Sequence, residues 1–384
     1  MHDPLPASPA LLPAGFDDKL PPAAEAEARS VATLLEVFAT HGYQRVEPPM
    51  AEFADTLLSG SGQAVAEQCF RVLDPESRRM LALRADITPQ IARIATTRLA
   101  AMPRPLRLSY AGPCLRVAAT PMAAERQVDQ VGIELIGPDS PRADAEMVAL
   151  AAEALAAIGL TRVSFDLTMP RLVPALLDDA ALPGPARAQV ERALDRKDVA
   201  QVRAHAGAMA PVLEALLLSA GRPARALAAL AAAALPPKAA ALAARLAETV
   251  AAINARSPGL TLTVDPVEER GFPYHTGACV AVFAPGRHEE LGRGGRYLCG
   301  GEAATGLTLY ADAVLRAASA PPRRTRIFLP LEAPPDLAQA LRDAGHATVQ
   351  GLEATADPGG EAARLGCDAW LGPTGPVFLS QPET

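Results

Sequence analysis

The sequence predicts an α+β protein: a sheet flanked by helices, a helical insertion at about 170–255, and a small α/β unit near the C-terminus. Three observations carry this. Two long β-type segments, 106–117 and 127–137, flank a short loop that contains Pro121. From about 170 to 255 the pattern turns alanine- and leucine-rich and helical. Beyond Pro321-Pro322 and Arg323-Arg324, a linker by composition, the order is strand, helix, strand, helix, strand. The expected domains are residues 1–320 and 325–384.

Taken in order, Val31, Leu34, Leu35 and Phe38 recur at i, i+3, i+4 and i+7, and Gly42 follows them, so 22–41 is a helix with a glycine stop. A short strand around Val46 ends at Pro48-Pro49. Residues 69–83 read as strand, turn at Asp74–Arg78, and strand. Thr88-Pro89 places a hydroxyl and a proline where a helix cap and first turn want them, and Ile91, Ile94, Ala95 and Leu99 continue that helix. A helix at 143–158 and a strand at 162–168 precede the insertion. Strands follow at 260–265 and 277–283, then a glycine-rich stretch at 292–301, then a strand and helix at 305–318. The C-terminal unit reads strand 326–331, helix 336–344 stopped by Gly345, strand 347–352, helix 360–366 and strand 368–372, an order that implies a parallel α/β fold.

Composition excludes several functions. The chain has 384 residues, is 49% hydrophobic, and carries a formal charge of −7, which gives non-specific nucleic-acid binding no support. Only Lys19, Lys197 and Lys238 are lysines, and none follows a glycine, so the phosphate-loop motif is absent. Cys69, Cys114, Cys279, Cys299 and Cys367 form no C-x-x-C pair, which argues for free thiols in a reducing cytosol and against a structural metal. The N-terminus lacks the basic start and apolar core of a signal peptide, and Ala226–Leu235 falls short of the roughly twenty residues that span a bilayer. The expectation is a cytoplasmic protein with no membrane partner and no cofactor.

Three segments could carry chemistry. Alternation puts Val128, Gln130, Gly132, Glu134 and Ile136 on one strand face, which is either a solvated face with a bulge at Gly132 or a floor open to a small polar ligand. Asp86, at a helix entrance, either complements the helix dipole or accepts a ligand ammonium, and Thr88 is accounted for as a cap. Residues 270–277 gather Arg270, Tyr274 and His275 between two glycines, and a planar guanidinium grips a carboxylate through two parallel hydrogen bonds. The 292–297 run is no dinucleotide fingerprint, because Tyr297 stands where the last glycine belongs; its glycines let backbone approach backbone or ligand.

In this order, from about Gly15 to Arg316, the motifs resemble the histidyl-tRNA synthetase catalytic domain, a class II fold on an antiparallel sheet. The carriers are G-F-D-D-K-L-P (15–21), H-G-Y-Q-R-V-E-P-P (41–49), R-A-D-I-T (84–88), Y-A-G-P-C-L-R (110–116) with Q-V-D-Q-V-G-I-E (127–134), R-G-F-P-Y-H-T-G (270–277), G-G-R-Y (294–297) and T-G-L-T-L-Y-A-D-A (305–313). The resemblance implies a histidine pocket. Asp86, Thr88 and Gln130 would face the α-amino group and Arg270 the carboxylate. Glu134, Tyr274, His275 and Tyr297 would surround the imidazole, with Arg116 of the second motif completing the set.

The departures bear on function. Ala313 stands where the synthetases clamp the ATP triphosphate with arginine, and Ala118 replaces a carboxylate that helps fix ATP. Asp129 replaces a histidine, and Tyr310 replaces a glycine of the third motif, where its ring would fill space that ATP needs. Losing one contact to developing charge typically costs hundreds-fold in rate, so two losses argue against adenylation. The C-terminal unit is also shorter than an anticodon-binding domain and has little basic surface. Together these features resemble the ATP phosphoribosyltransferase regulatory subunits, to which L-R-A-D-I-T-P-Q-I-A-R-I (83–94) is similar. That resemblance implies a homodimer around Pro48-Pro49 within a hetero-oligomer, a short-form catalytic subunit as partner, and feedback inhibition by histidine in the first step of its biosynthesis. A divergent histidyl-tRNA synthetase is the alternative. Arg270→Ala is expected to weaken histidine binding by about 1.5–3 kcal/mol, the worth of a charge-assisted hydrogen bond. Titration calorimetry checks this, and unchanged affinity would place the effector elsewhere.

Overall fold

A computed structural model describes residues 11–119, 125–180, 182–269, 274–318 and 323–379. Helix α1 (Ala23–Thr40) buries Leu34 and Phe38. It ends as its glycine foretells: Gly42 adopts φ 81°, and the Gly42 and Tyr43 N–H groups close back on the carbonyls of Ala39 and Phe38. There follow β1 (Gln44–Arg45), β2 (Ala51–Phe53), α2 (Ala54–Leu57), β3 (Arg71–Leu73), β4 (Met80–Leu83) and α3 (Thr88–Thr96). Strands β2, β4 and β3 form a small antiparallel sheet.

The central strands are β5 (Leu106–Leu115) and β6 (Gln127–Ile136), followed by α4 (Pro141–Ala157), whose first turn is capped by the Ser140 hydroxyl. Strand β7 (Ser164–Thr168) enters the insertion: α5 (Leu172–Asp179), α6 (Gly184–Asp195), α7 (Val199–His205), α8 (Ala210–Ser219), α9 (Pro223–Ala232) and α10 (Pro237–Arg256). The chain returns through β8 (Thr261–Asp265), β9 (His275–Phe283), β10 (Glu290–Cys299), β11 (Glu302–Tyr310) and α11 (Ala311–Ala317). The main sheet runs β1-β5-β6-β11-β10-β9-β7-β8, antiparallel except for the parallel pairs β1/β5 and β7/β8.

Alternation sorts β6 between two cores. Val131, Ile133 and Leu135 pack with Leu34, Phe38 and the apolar side of α4. The other face carries Gln130, Gly132, Glu134 and Ile136, and Ile136 joins Ile87 and Ile91 with Tyr110 and Tyr297. The glycine-rich stretch proves to be β10, a strand paired on both sides. A Cβ on Gly292 or Gly294 would fall 2.4 Å from the Thr308 carbonyl or 2.1 Å from that of Gly306, so close backbone approach explains both glycines.

Contacts divide the chain into two compact units, up to Ser319 and from Ala320. The second holds β12 (Arg326–Leu329), α12 (Pro335–Asp343), β13 (Ala347–Gln350), α13 (Pro358–Arg364), β14 (Ala369–Gly372) and β15 (Gly375–Phe378). Its sheet order is β13-β12-β14-β15. The expected parallel unit is present, but β15 folds back antiparallel on β14, an addition that the β-α-β-α-β pattern did not contain. Gly375 at φ 135° makes that reversal possible.

One buried ion pair fastens β10 to α4. Arg296 donates to Asp144 Oδ1 at 2.7 Å and to the carbonyls of Pro138 and Ser140, with both charged side chains over 90% buried. Arg296→Met would strand the Asp144 carboxylate, and removing one partner of a buried pair costs about 3–5 kcal/mol. Urea unfolding of the variant should register that loss with an unchanged m-value.

Candidate functional site

The segment between β4 and α3 is locked in place by Arg84. Its buried guanidinium donates to the Pro113 and Pro48 carbonyls at 2.8 and 2.9 Å, and a Cβ on Gly112 would lie 2.4 Å from it. Asp86 and Thr88 are thereby held over the β6 face. The residue at the cap position is Ile87, and no side chain caps this helix. Thr88 is therefore not the cap that its type and place foretold. Its hydroxyl donates instead to Glu134 Oε1 at 3.0 Å, a buried carboxyl that must find its partners among side chains. Asp86 takes the local role, accepting the Thr88 N–H at 3.4 Å.

The β6 face is neither solvated nor bulged: Gln130 and Glu134 are 2% and 1% exposed, and pairing with β5 and β11 runs through Gly132 without a shift. Gly132 does not open a floor for ligand either. Its missing side chain accommodates the Tyr110 ring, whose Oη would lie 2.4 Å from a Cβ there. Glu134 is housed the same way by Gly306, where a Cβ would fall 1.8 Å from Oε2. Around its carboxyl stand Thr88 at 3.0 Å, Tyr297 at 3.0 Å and Tyr110 at 3.4 Å, and Tyr110 also bonds Thr308 at 2.7 Å. Burial pushes Glu134 up to about 8, with the hydroxyl donors opposing it only in part.

A small cavity of about 20 Å³ opens over this group, lined by Thr88, Glu134, Tyr274, His275, Tyr297 and Thr308 among others. Tyr274 meets Tyr297 edge-on at 5.9 Å and His275 at 4.7 Å. Burial, then the neighbouring Arg293, lowers His275 to about 4, so its imidazole is neutral near pH 7. Asp86 stands outside the cavity lining but close enough to act on Glu134 through charge; burial raises it above its ordinary value, with Thr88 and Gln130 partly offsetting this. Its Oδ2 is buried without a hydrogen-bond partner, while Gln130 Oε1 accepts the Ile87 N–H at 3.0 Å. Such an oxygen is an acceptor awaiting a donor. Arg116 acts on Asp86 through charge, but it stands aside from the cavity lining, with its guanidinium 6.0 Å from the Tyr310 ring. Arg270 lies outside the described residues.

Sequence reasoning missed Tyr110, Thr308 and Gly306. The signal was a register one: Tyr110, Gly132 and Thr308 stand side by side across three strands, as do Glu134 and Gly306. The pairing is not visible before the strands are aligned. Among the described residues, the one set of three acids close enough to share an ion is Glu27, Asp129 and Asp312, and Lys19 Nζ already occupies its centre, within 2.8 Å of all three. Burial opposes charge on Lys19, but those three partners outweigh it and hold the ammonium well above its ordinary range. No helix among the described residues is long and apolar enough to cross a membrane.

The histidyl-tRNA synthetase family model matches residues 15–314. A Paramagnetospirillum magneticum protein named ATP phosphoribosyltransferase regulatory subunit is 53% identical over 97% of this chain and 98% of its own. The chain belongs to the ATP phosphoribosyltransferase regulatory subunit family. The family member from Gluconobacter oxydans is 51% identical, covering 94% of this chain and 95% of its own. A solved structure from Bacillus halodurans, described as an ATP phosphoribosyltransferase regulatory subunit/histidyl-tRNA synthetase, superposes with a TM-score of 0.79 at 24% identity, covering 94% of this chain and 97% of that one. The Nostoc sp. PCC 7120 histidyl-tRNA synthetase gives 0.76 at 17% identity, covering 94% and 90%. The regulatory-subunit family thus shares the class II synthetase fold, antiparallel sheet included.

Because folding raises the Glu134 pKa from 4.5 to about 8, its contribution to stability is complete at low pH. That contribution is lost as pH rises through about 8. In the ligand-free protein Glu134→Gln should flatten the fall in Tm across this interval, as read by scanning calorimetry over a pH series. An unchanged slope would assign the ionisation to another group.

Proposed function

We propose that this chain senses free histidine and carries no chemistry of its own. It would serve as the regulatory partner of a short-form ATP phosphoribosyltransferase catalytic subunit in the first step of histidine biosynthesis, in the cytoplasm. The observation that carries this reading is a pair of buried carboxyl groups, Glu134 in the cavity lining and Asp86 close enough to act on it through charge. Asp86 Oδ2 lacks a donor, which an α-ammonium supplies. Glu134, braced by three hydroxyls, matches an imidazole N–H. Arg270, in the position that the synthetases use for the carboxylate, would complete the grip.

The nucleotide side supports a non-catalytic role. Ala313 is a small buried residue where a synthetase needs a cation, Ala118 offers no carboxylate, and the Tyr310 ring stands beside Arg116. Effector action then follows from linkage: histidine shifts the complex only if it binds the active and inhibited assemblies with different affinity. We also propose a homodimer at the Pro48-Pro49 segment, where the neighbouring hairpin exposes Val72, Leu73 and Met80. Helix α3, which carries Thr88, touches that segment directly, since Gln90 donates to the Pro49 carbonyl at 2.7 Å and to Glu52 at 2.8 Å.

The test is reconstitution. Adding this chain to a short-form catalytic subunit should raise the rate of phosphoribosyl transfer to ATP, and histidine should suppress it. The chain alone should give no histidine-dependent exchange of pyrophosphate into ATP. Exchange activity would identify a divergent synthetase instead.

A further inference from the structure

A second and larger cavity, about 370 Å³ and open on one side, lies beyond the histidine pocket on the same sheet, toward its β7/β8 edge. Strands β7, β8 and β9 floor it, and turns of the helical insertion roof it. Roof and floor are stitched together by reciprocal backbone hydrogen bonds between Gly221 and Val264, at 3.0 and 2.8 Å.

Among the described residues its charges are unbalanced. Asp166, Asp265, Glu268 and Glu290 face two cations, Lys197 and Arg293. Lys197 Nζ is already bonded to Asp265 at 2.8 Å and Glu268 at 2.9 Å, and Arg293 holds Glu290 through two nitrogens. Asp166 accepts the Thr263 hydroxyl and has no cationic partner among the described residues. Two positions along β7, on the same face, Thr168 is 94% buried and its hydroxyl has no hydrogen-bond partner. A buried hydroxyl without a partner is unfavourable, and a ligand that bonds it removes that cost. Excess carboxylate repels anions. A bare metal ion is also disfavoured, since among the described residues these carboxylates do not converge within ligand distance of one another. The remaining wall, with Phe283, Val264 and Ala281, is apolar.

We infer that this cavity is a second small-molecule site, selective for an ammonium or guanidinium group on a short aliphatic stem. The head group bonds Asp166 and Thr168, and the stem lies along the apolar wall. The site is separate from the histidine pocket, sharing only the partition formed by His275, Arg293 and Gly294, so both can be filled at once.

Calorimetric titration of the full chain with putrescine and agmatine, with and without saturating histidine, tests this. One molecule of either amine should bind in both conditions, and 1,4-butanediol, neutral and of the same length as putrescine, should not. Asp166→Asn should weaken amine binding roughly 10- to 100-fold, the worth of a hydrogen bond to a charged group, while histidine binding persists as evidence of an intact fold. Thr168→Val, which preserves shape, should weaken it several-fold. Absence of amine binding at millimolar concentration, equal binding of the diol, undiminished affinity in Asp166→Asn, or displacement by histidine would each overturn the proposal.

Discussion

Burial of one carboxyl group organises the site. Glu134 sits in the middle of a sheet face where water cannot reach it, so its charge state and orientation depend wholly on the side chains around it. Three hydroxyls from three different elements answer that demand: Thr88 from the start of α3, Tyr110 from β5 and Tyr297 from β10. Each tie fixes a wall of the cavity as well as satisfying the carboxyl. The helix entrance is drawn down onto the sheet, with Asp86 close enough to act on Glu134 through charge. Removing the carboxyl would loosen the walls together.

Such a centre needs space, and glycine provides it. A sheet of fully substituted strands has no room for a phenol ring or a carboxylate lying flat across its neighbours. Gly132 yields to Tyr110, Gly306 to Glu134, and Gly112 to Arg84. This sheet therefore keeps its polar floor by omitting side chains next to the groups it buries, a form of packing complementarity.

Much of the architecture was legible in the chain because periodicity reports burial directly. The amphipathic run ending at Gly42, the paired long strands, the alanine-rich insertion and the C-terminal alternation all follow from which residues must hide from water. Strand β10 was less legible, since glycine has no side chain to show a period of two, and β15 followed a turn rather than a hydrophobic signal. At the site, residue types were informative but local roles were not. Thr88 carries the signature of a cap, yet its hydroxyl is turned to a tertiary acceptor, Glu134, and caps nothing. Tyr110 and Thr308 looked like ordinary strand residues until pairing placed them beside Glu134. Chemistry that depends on cross-strand register is written in the sequence only jointly.

The Lys19 cluster has a consequence for how this sequence can drift. Arginine far outnumbers lysine, with only three lysines among 36 basic residues. Two of the three sit where several carboxylates converge on a single point: Lys19 among Glu27, Asp129 and Asp312, and Lys197 between Asp265 and Glu268. A compact ammonium directs three donors toward a common centre, whereas a planar guanidinium spreads its donors along a fork and suits one carboxylate at a time. A lysine thus suits both points better than an arginine would, and at those two places the nominally mildest replacement is among the least tolerable.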